Sequence, residues 1–328
     1  MGLLAAKPAA GAALDQVAIA TGAAIVVTVA LLYFGLGHRS GKVPWLGRLG
    51  AYSRRVSGLP DWAAVPAGMI VVSLITALFG MLWDISIHIA QGRDPGPLAN
   101  PAHYFILAGL FGVFASGFVS MCLPLEKPSP TAVRITGDWY APLGGVLIAA
   151  CGAFSLVGFP LDDMWHRLFG QDVTLWGPTH LMLFGGAAMT LVGLAVLLVE
   201  GRRANVAGGR RWEPGWVAFM RRVALPGAFL LGLSTFQGEF DFGVPQFRMV
   251  FHPMLIMLAA SVTFVAARVW LGRGSALGAA LFFLAMRAVM ALLVWPRLRG
   301  TAARLPCRSR ACAAAGSATS AADTRASA

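Results

Sequence analysis

Eight apolar stretches, each about as long as a membrane-spanning helix, dominate this chain of 328 residues. A helix needs ~20 mostly apolar residues to cross the hydrocarbon core of a bilayer. The stretches are Val17 to Leu36, Trp62 to Ile89, Pro101 to Leu125, Trp139 to Leu161, Trp176 to Leu198, Val223 to Phe240, Phe251 to Trp270 and Ala276 to Trp295. Hydrophobic residues make up 57% of the chain and charged residues 12%, which is far too apolar for a soluble globular domain. We therefore predict an all-α, polytopic integral membrane bundle of about eight helices.

The bundle is predicted to take up residues 1–299, with no separate soluble domain between the spans. The 39 glycines suit such a bundle, because small residues let neighbouring helices approach closely in lipid. Residues 300–328 are basic and rich in Ala and Ser, with few large apolar side chains. We predict that this tail is disordered.

The formal charge of +12 is concentrated in particular loops between the apolar stretches, which argues against a nucleic-acid-binding surface. The basic loops contain Arg39, Lys42, Arg48, Arg54 and Arg55, and then Arg202, Arg203, Arg210, Arg211, Arg221 and Arg222. The alternate loops hold one basic residue each: Arg93, Arg167 and Arg248. By the positive-inside rule, the basic loops are cytoplasmic, and the N-terminus and the other loops are extracytoplasmic.

The last apolar stretch conflicts with this topology. Eight spans would place the basic C-terminal tail outside, and Arg287 interrupts the stretch itself. The sequence therefore leaves open whether the eighth stretch crosses the membrane.

Two of the outward-facing hairpins repeat one pattern of polar residues. The first has Asp84, His88 and His103, and the second has Asp162, His166 and His180. Both also carry Gly and Asp after the first His (Gly92 and Asp94, Gly170 and Asp172), and Pro two residues before the last His (Pro101 and Pro178). Asp and His four residues apart lie on one helix face, and Pro favours the first turn of the returning helix. Each hairpin can therefore gather one carboxylate and two imidazoles.

A third hairpin keeps the polarity but loses one histidine. It has Gln237, Glu239 and Asp241 at the end of one span and His252 at the start of the next. Five of the six histidines thus lie at the outward ends of the three hairpins. We interpret the sixth, His38, as a solvated residue of a basic loop.

The repeated triads are candidate metal ligands, since two imidazoles and a carboxylate suit copper, zinc or iron. Ionisable residues at membrane depth are costly and commonly functional. Helix-end ion pairing and a proton or ion pathway are the alternatives. Asp163, Glu239, Asp241 and His252 are candidates for an outer layer of polar groups around the metal, and Asp94 and Asp172 for loop capping.

The pattern Asp84, His88, His103, repeated as Asp162, His166, His180, resembles the metal site in an all-helical subunit of the copper membrane monooxygenases, which oxidise methane, ammonia or short hydrocarbons. The resemblance covers the two hairpins, about Met81 to Gly109 and Leu161 to Gly185, and the spacing between the histidines differs slightly from the family pattern. It implies that these six residues bind copper in one component of a multisubunit oxygenase.

The sequence therefore predicts a multi-pass cell-membrane protein with an extracytoplasmic Asp/His metal centre, other membrane subunits or a second copy as partners, and a role in a copper-dependent oxygenase. Copper is the first choice of metal, with iron or zinc as alternatives. The rival hypotheses are a proton- or cation-coupled transporter that uses the same residues, and a non-catalytic membrane scaffold.

Overall fold

The computed structural model describes residues 14–91, 96–169, 174–210, 213–244 and 247–302. The predicted residues Gly92, Asp94, Gly170 and Asp172 lie outside these ranges, as does the tail from residue 303 onward. Within them the chain is an α-helical membrane bundle, which confirms the predicted fold class.

The bundle contains eight helical spans, counted within the described residues. Their bounds are Asp15–Arg39, Asp61–Ala90, Pro101–Cys122, Leu143–Phe169, Pro178–Ala207, Gly215–Asp241, Phe251–Leu271 and Ser275–Val294. We call them spans one to eight. All eight predicted stretches are therefore helices long and apolar enough to cross a bilayer.

The individual helices follow in chain order. They are α1 (Leu14–Arg39), α2 (Trp45–Ser57), α3 (Asp61–Gln91), α4 (Pro101–Cys122), α5 (Leu143–Phe169), α6 (Pro178–His180), α7 (Gly186–Ala207), α8 (Gly215–Phe219), α9 (Leu225–Ser234), α10 (Gly238–Asp241), α11 (Phe251–Ala266) and α12 (Ser275–Ala302). Single π-helical turns at Leu181–Gly185, Met220–Ala224 and Ala267–Leu271 and a 3₁₀ turn at Thr235–Gln237 connect or extend pieces of the same span. A short antiparallel hairpin, β1 (Val133–Thr136) and β2 (Trp139–Ala141), precedes α5.

Spans two to five pack against one another in chain order, α3 on α4, α4 on α5 and α5 on α7. Glycines permit the closest approaches. A Cβ atom added to Gly117 would overlap the main chain of Ala149, and one added to Gly144 would overlap that of Leu197. Ile70, Val113, Ile148 and Leu197 fill the core between these helices. The predicted use of small residues for close helix packing is thus visible at defined contacts.

Span one and span seven present large apolar side chains on the outside of the bundle. Val26 is 68% exposed in span one and Val265 is 62% exposed in span seven. In a membrane protein such surfaces face lipid, where exposed apolar side chains have no hydration cost.

Arg287 lies within the eighth span and is stabilised there by an ion pair. Its Nη2 atom is 2.9 Å from Oδ2 of Asp241, at the end of span six. The pairing explains how a helix with a central arginine belongs to an apolar bundle, since charges at membrane depth pair with one another.

Candidate metal centre

The first triad forms where α3 ends and α4 begins. Asp84 and His88 lie one turn apart on α3, with 3.7 Å between Oδ2 and the Nδ1 of the imidazole. His103 lies in the first turn of α4, and its Nε2 is 3.1 Å from Oδ1 of Asp84. The structure therefore brings the three predicted residues together, with one possible ligand atom from each within 4.8 Å of the others.

A main-chain carbonyl fixes the orientation of the His103 imidazole through the ring nitrogen that faces away from Asp84. Its Nδ1 is 2.7 Å from the carbonyl oxygen of Pro97 in the loop before α4. A carbonyl oxygen only accepts, so Nδ1 carries the proton and donates. This contact turns Nε2 toward Asp84.

Asn100 sets the position of both the helix and the carboxylate. Its side-chain oxygen accepts from the main-chain N–H of Ala102, 2.9 Å away, and so caps the N-terminus of α4. Its side-chain nitrogen donates to Oδ1 of Asp84 over 2.6 Å. Asn100 was not among the residues predicted for the site, although an asparagine directly before Pro101 is a recognisable N-cap signal.

The second triad repeats this geometry at the end of α5 and the start of α6. His166 Nδ1 lies 3.8 Å from Oδ2 of Asp162, and His180 Nε2 lies 3.3 Å from Oδ1. His180 Nδ1 is 2.7 Å from the carbonyl oxygen of Thr174, as His103 Nδ1 is from that of Pro97. The repeat seen in the sequence is thus a repeat of side-chain orientation as well.

The two triads hold their aspartates through different residues. In the second, the hydroxyl of Thr179 donates to Oδ1 of Asp162 over 2.6 Å, the part played by the Asn100 amide in the first. A π-helical turn, Leu181–Gly185, follows directly after His180. Single π turns of this kind are frequent at functional sites. Thr179 was also missed, since a serine or threonine beside a histidine has no distinctive pattern.

The orientation of His103 and His180 defines what can lie between the imidazole and the carboxylate. In a neutral ring with the proton on Nδ1, Nε2 offers a lone pair, and the carboxylate oxygen 3.1 or 3.3 Å away also only accepts. Two such atoms repel unless a cation lies between or beside them. That cation is either a metal ion bound by both or a second ring proton, which gives an imidazolium–carboxylate ion pair.

Both triads face one cavity. Its volume is about 130 Å³, and its walls include all six triad residues. The triad side chains are mostly buried, with 14% of His103 and 14% of His180 exposed. Two possible binding sites therefore share a single small chamber near the ends of spans two and four.

Glu239 also lines this cavity and is only 2% exposed. Its Oε1 accepts from the hydroxyl of Thr174 and from the main-chain N–H of Leu175, each over 2.7 Å. The third hairpin therefore contributes a carboxylate that holds the segment carrying the Thr174 carbonyl.

The other third-hairpin residues, Asp241 and His252, contact each other and Arg287 of span eight. Asp241 binds Arg287, and its Oδ1 is 4.0 Å from Nε2 of His252. His252 stacks on Phe240 with ring centres 4.9 Å apart. In this hairpin the guanidinium of Arg287 supplies the positive charge beside the carboxylate.

Asp163 lines the cavity and forms an ion pair with Arg167, one helical turn away. Its Oδ2 lies 2.7 Å from Nε of Arg167 and its Oδ1 lies 3.2 Å from Nη2.

His38 differs from the expectation of a solvated loop residue. It is half-buried in the last turn of α1, with Nε2 3.3 Å from the carbonyl oxygen of Leu123, because α1 packs against α4 and Leu123 lies at the end of α4.

Each triad can hold either a metal ion or a proton that forms an imidazolium–carboxylate ion pair, and one can replace the other. Comparison with protein-family models, curated proteins and solved structures finds no match to this chain. Its function therefore has to be inferred from the site itself.

Proposed function

We propose that the two triads bind a pair of metal ions, and that the protein is the metal-binding subunit of a copper-dependent membrane oxygenase. The observation that carries the metal assignment is the orientation of His103 and His180. In each, Nδ1 donates to a main-chain carbonyl and Nε2 faces an aspartate oxygen.

This arrangement favours ligation over simple ion pairing. Histidines that bind metals donate their other ring N–H to a carbonyl or carboxylate, which fixes the ring and raises its basicity. Asn100 and Thr179 likewise fix the orientation of the aspartates, because each donates a hydrogen bond to an aspartate oxygen. An ion pair at one helix end would need none of this support, and here the support occurs twice on one cavity.

Copper is the proposed metal because imidazole nitrogen suits it and because the triads resemble the copper site of the membrane monooxygenases. Iron and zinc are compatible with the same donors. When bound, copper would supply one-electron chemistry toward dioxygen. The six triad side chains hold the ions, and other membrane subunits or a second copy of the chain would deliver electrons. By the charge of the loops, the site faces the extracytoplasmic side.

A proton or cation pathway across the bundle is the competing function. Such a pathway needs polar groups that continue from the site through the membrane. A second cavity adjoins the Asp/His chamber at Met81 and continues into the bundle. Among the described residues that line this second cavity, only Ser57 and Thr235 carry hydroxyl groups. This apolar continuation favours a bound metal over a conducted ion.

The test is metal content per chain, measured by inductively coupled plasma mass spectrometry on detergent-purified protein reconstituted with copper, iron or zinc. We expect two equivalents of copper in the wild type, one in His88→Ala, one in His166→Ala and none in the double variant. The control is His38→Ala, which removes a histidine outside the hairpins and should keep both equivalents.

Metal-free wild-type protein after reconstitution with each ion would refute the proposal and leave ion pairing or transport. Proton-coupled flux in reconstituted vesicles that is lost in His88→Ala, in protein without bound metal, would establish the transporter instead.

A further inference from the structure

A second, larger cavity of about 520 Å³ lies between spans two, three, five, six and eight. Along span two it extends from Ala64 to Met81. The seventeen helical steps from Ala64 to Met81 rise by ~25 Å, which exceeds the ~15 Å of one bilayer leaflet. The cavity is therefore long and narrow, and it runs along the membrane normal rather than across it.

The walls of this cavity are almost entirely apolar. Only Ser57 and Thr235 bring hydroxyl groups to the lining within the described residues, and both donate inside their own helices, to the carbonyls of Ser53 and Leu231. A ligand of this cavity must be held by its apolar surface, as a hydrocarbon chain is.

The two ends of the cavity differ in charge. One end is formed by Ser57, Leu198 and Trp216, which adjoin the basic loops. Arginines at this end of the bundle are exposed, among them Arg55, Arg222 and Arg273. They favour an anionic group at the membrane surface.

The other end meets the Asp/His chamber. Met81, Ile106, Leu183 and Phe184 line both cavities and form the wall between them. The large cavity thus reaches from a positively charged membrane surface to the apolar wall of the candidate metal centre.

We propose that this cavity binds one acyl chain of an acidic phospholipid, with the head group beside the exposed arginines and the end of the chain against Met81 and Phe184. The acyl chain fills an apolar space that would otherwise separate spans two, five and six. It also keeps water from reaching the metal chamber through the bundle.

Gly68 gives a direct test, because it lines the cavity and a Cβ atom added there meets nothing within 4 Å. Gly68→Leu should fill the space. Ala228→Leu, on span six, does so from another wall. The matched control is Gly22→Leu on span one, where an added Cβ atom also meets nothing within 4 Å but no part of this cavity is near.

The experiment is native mass spectrometry of chelator-treated, delipidated protein to which dioleoylphosphatidylglycerol or dioleoylphosphatidylcholine is returned. We expect one phosphatidylglycerol bound to the wild type and to Gly22→Leu, and at least tenfold weaker retention in Gly68→Leu and Ala228→Leu. Removing metal first keeps the result independent of the metal centre.

Failure of the wild type to retain phosphatidylglycerol would overturn the proposal whatever the variants do. Equal retention by Gly68→Leu and Gly22→Leu would show that the lipid lies elsewhere. Equal binding of phosphatidylcholine would overturn the assignment of an acidic head group.

Discussion

Glu239 and Thr174, 65 residues apart in the chain, are joined by a hydrogen bond of 2.7 Å from the threonine hydroxyl to the carboxylate. The same oxygen of Glu239 accepts from the main chain of Leu175. The carbonyl of Thr174 in turn accepts from His180 Nδ1. A buried carboxylate of the third hairpin therefore positions a histidine of the second triad through one intervening residue.

Glu239→Ala should weaken metal binding at the second triad and leave the first unchanged. Loss of an outer partner of a metal-binding histidine weakens metal affinity by about 10- to 100-fold. Copper titration in the His88→Ala background measures the second triad alone, and titration in the His166→Ala background measures the first alone. The exposed carboxylate of Glu126 provides the control substitution, Glu126→Ala.

Equal weakening in both backgrounds would show that Glu239 supports the bundle as a whole rather than one site. Glu239→Gln, which keeps an acceptor oxygen, should retain most of the affinity of the second triad. Loss as severe as that of Glu239→Ala would mean that the charge, rather than the hydrogen bonds to Thr174 and Leu175, is what matters.

The meeting of Asp84, His88 and His103 could be predicted because it depends on local rules. Residues four apart share a helix face, and a short loop returns the chain beside its own end. The same rules give the second triad. The eight spans follow from length and hydropathy alone.

The supports of the site could not be predicted in this way. The contact between Glu239 and Thr174 joins segments whose relative placement is set by packing of the whole bundle, and a single sequence holds no periodic signal for it. The carbonyls of Pro97 and Thr174 orient the two histidines through main-chain atoms. Every residue type has a main-chain carbonyl, so the sequence does not show which ones take this role. Asn100 is the exception, because its capping role is local and its position before a proline is typical.

Glu200 is a buried carboxylate that the sequence did not single out, unlike Glu239, and it stabilises the fold at the opposite end of the bundle. It is 5% exposed and accepts hydrogen bonds from the hydroxyls of Ser129 and Thr131 and from the main-chain N–H groups of Leu143 and Gly144. It thus fastens the connection after span three to the start of α5.

Glu200→Ala should lower the free energy of unfolding by roughly 3 kcal/mol, because it leaves buried donors without an acceptor. Thermal unfolding in detergent measures the change, and Glu126→Ala at an exposed position should have little effect. A wild-type melting temperature for Glu200→Ala would mean that water or other acceptors replace the carboxylate.

Glu213 should make stability depend on acid pH. The hydrogen bonds from Arg221, 2.8 Å and 3.1 Å long, lower the pKa of this carboxyl below its ordinary value of 4.5. A lowered pKa in the folded state means that the ionised form stabilises folding above pH 4.5, and that this contribution disappears as pH falls through the lowered pKa.

Glu213→Gln should therefore be less stable than the wild type at neutral pH, with the difference shrinking below pH 4.5. The measurement is the melting temperature in detergent from about pH 7 to about pH 3 at constant ionic strength. A difference that stays constant across this range would show that the ion pair with Arg221 does not contribute through ionisation of Glu213.

Gly117 and Gly68 should respond differently to substitution by alanine. A Cβ atom at Gly117 overlaps the main chain of Ala149 on span four, whereas a Cβ atom at Gly68 meets open space in the larger cavity. Gly117→Ala should therefore destabilise the bundle by about 1 to 3 kcal/mol through forced separation of spans three and four. Gly68→Ala should be neutral or stabilising by up to ~1 kcal/mol, since alanine is the better helix former. Unfolding of both variants in a detergent series measures the two changes against the wild type, and a stabilising Gly117→Ala would mean that spans three and four lie farther apart in the membrane.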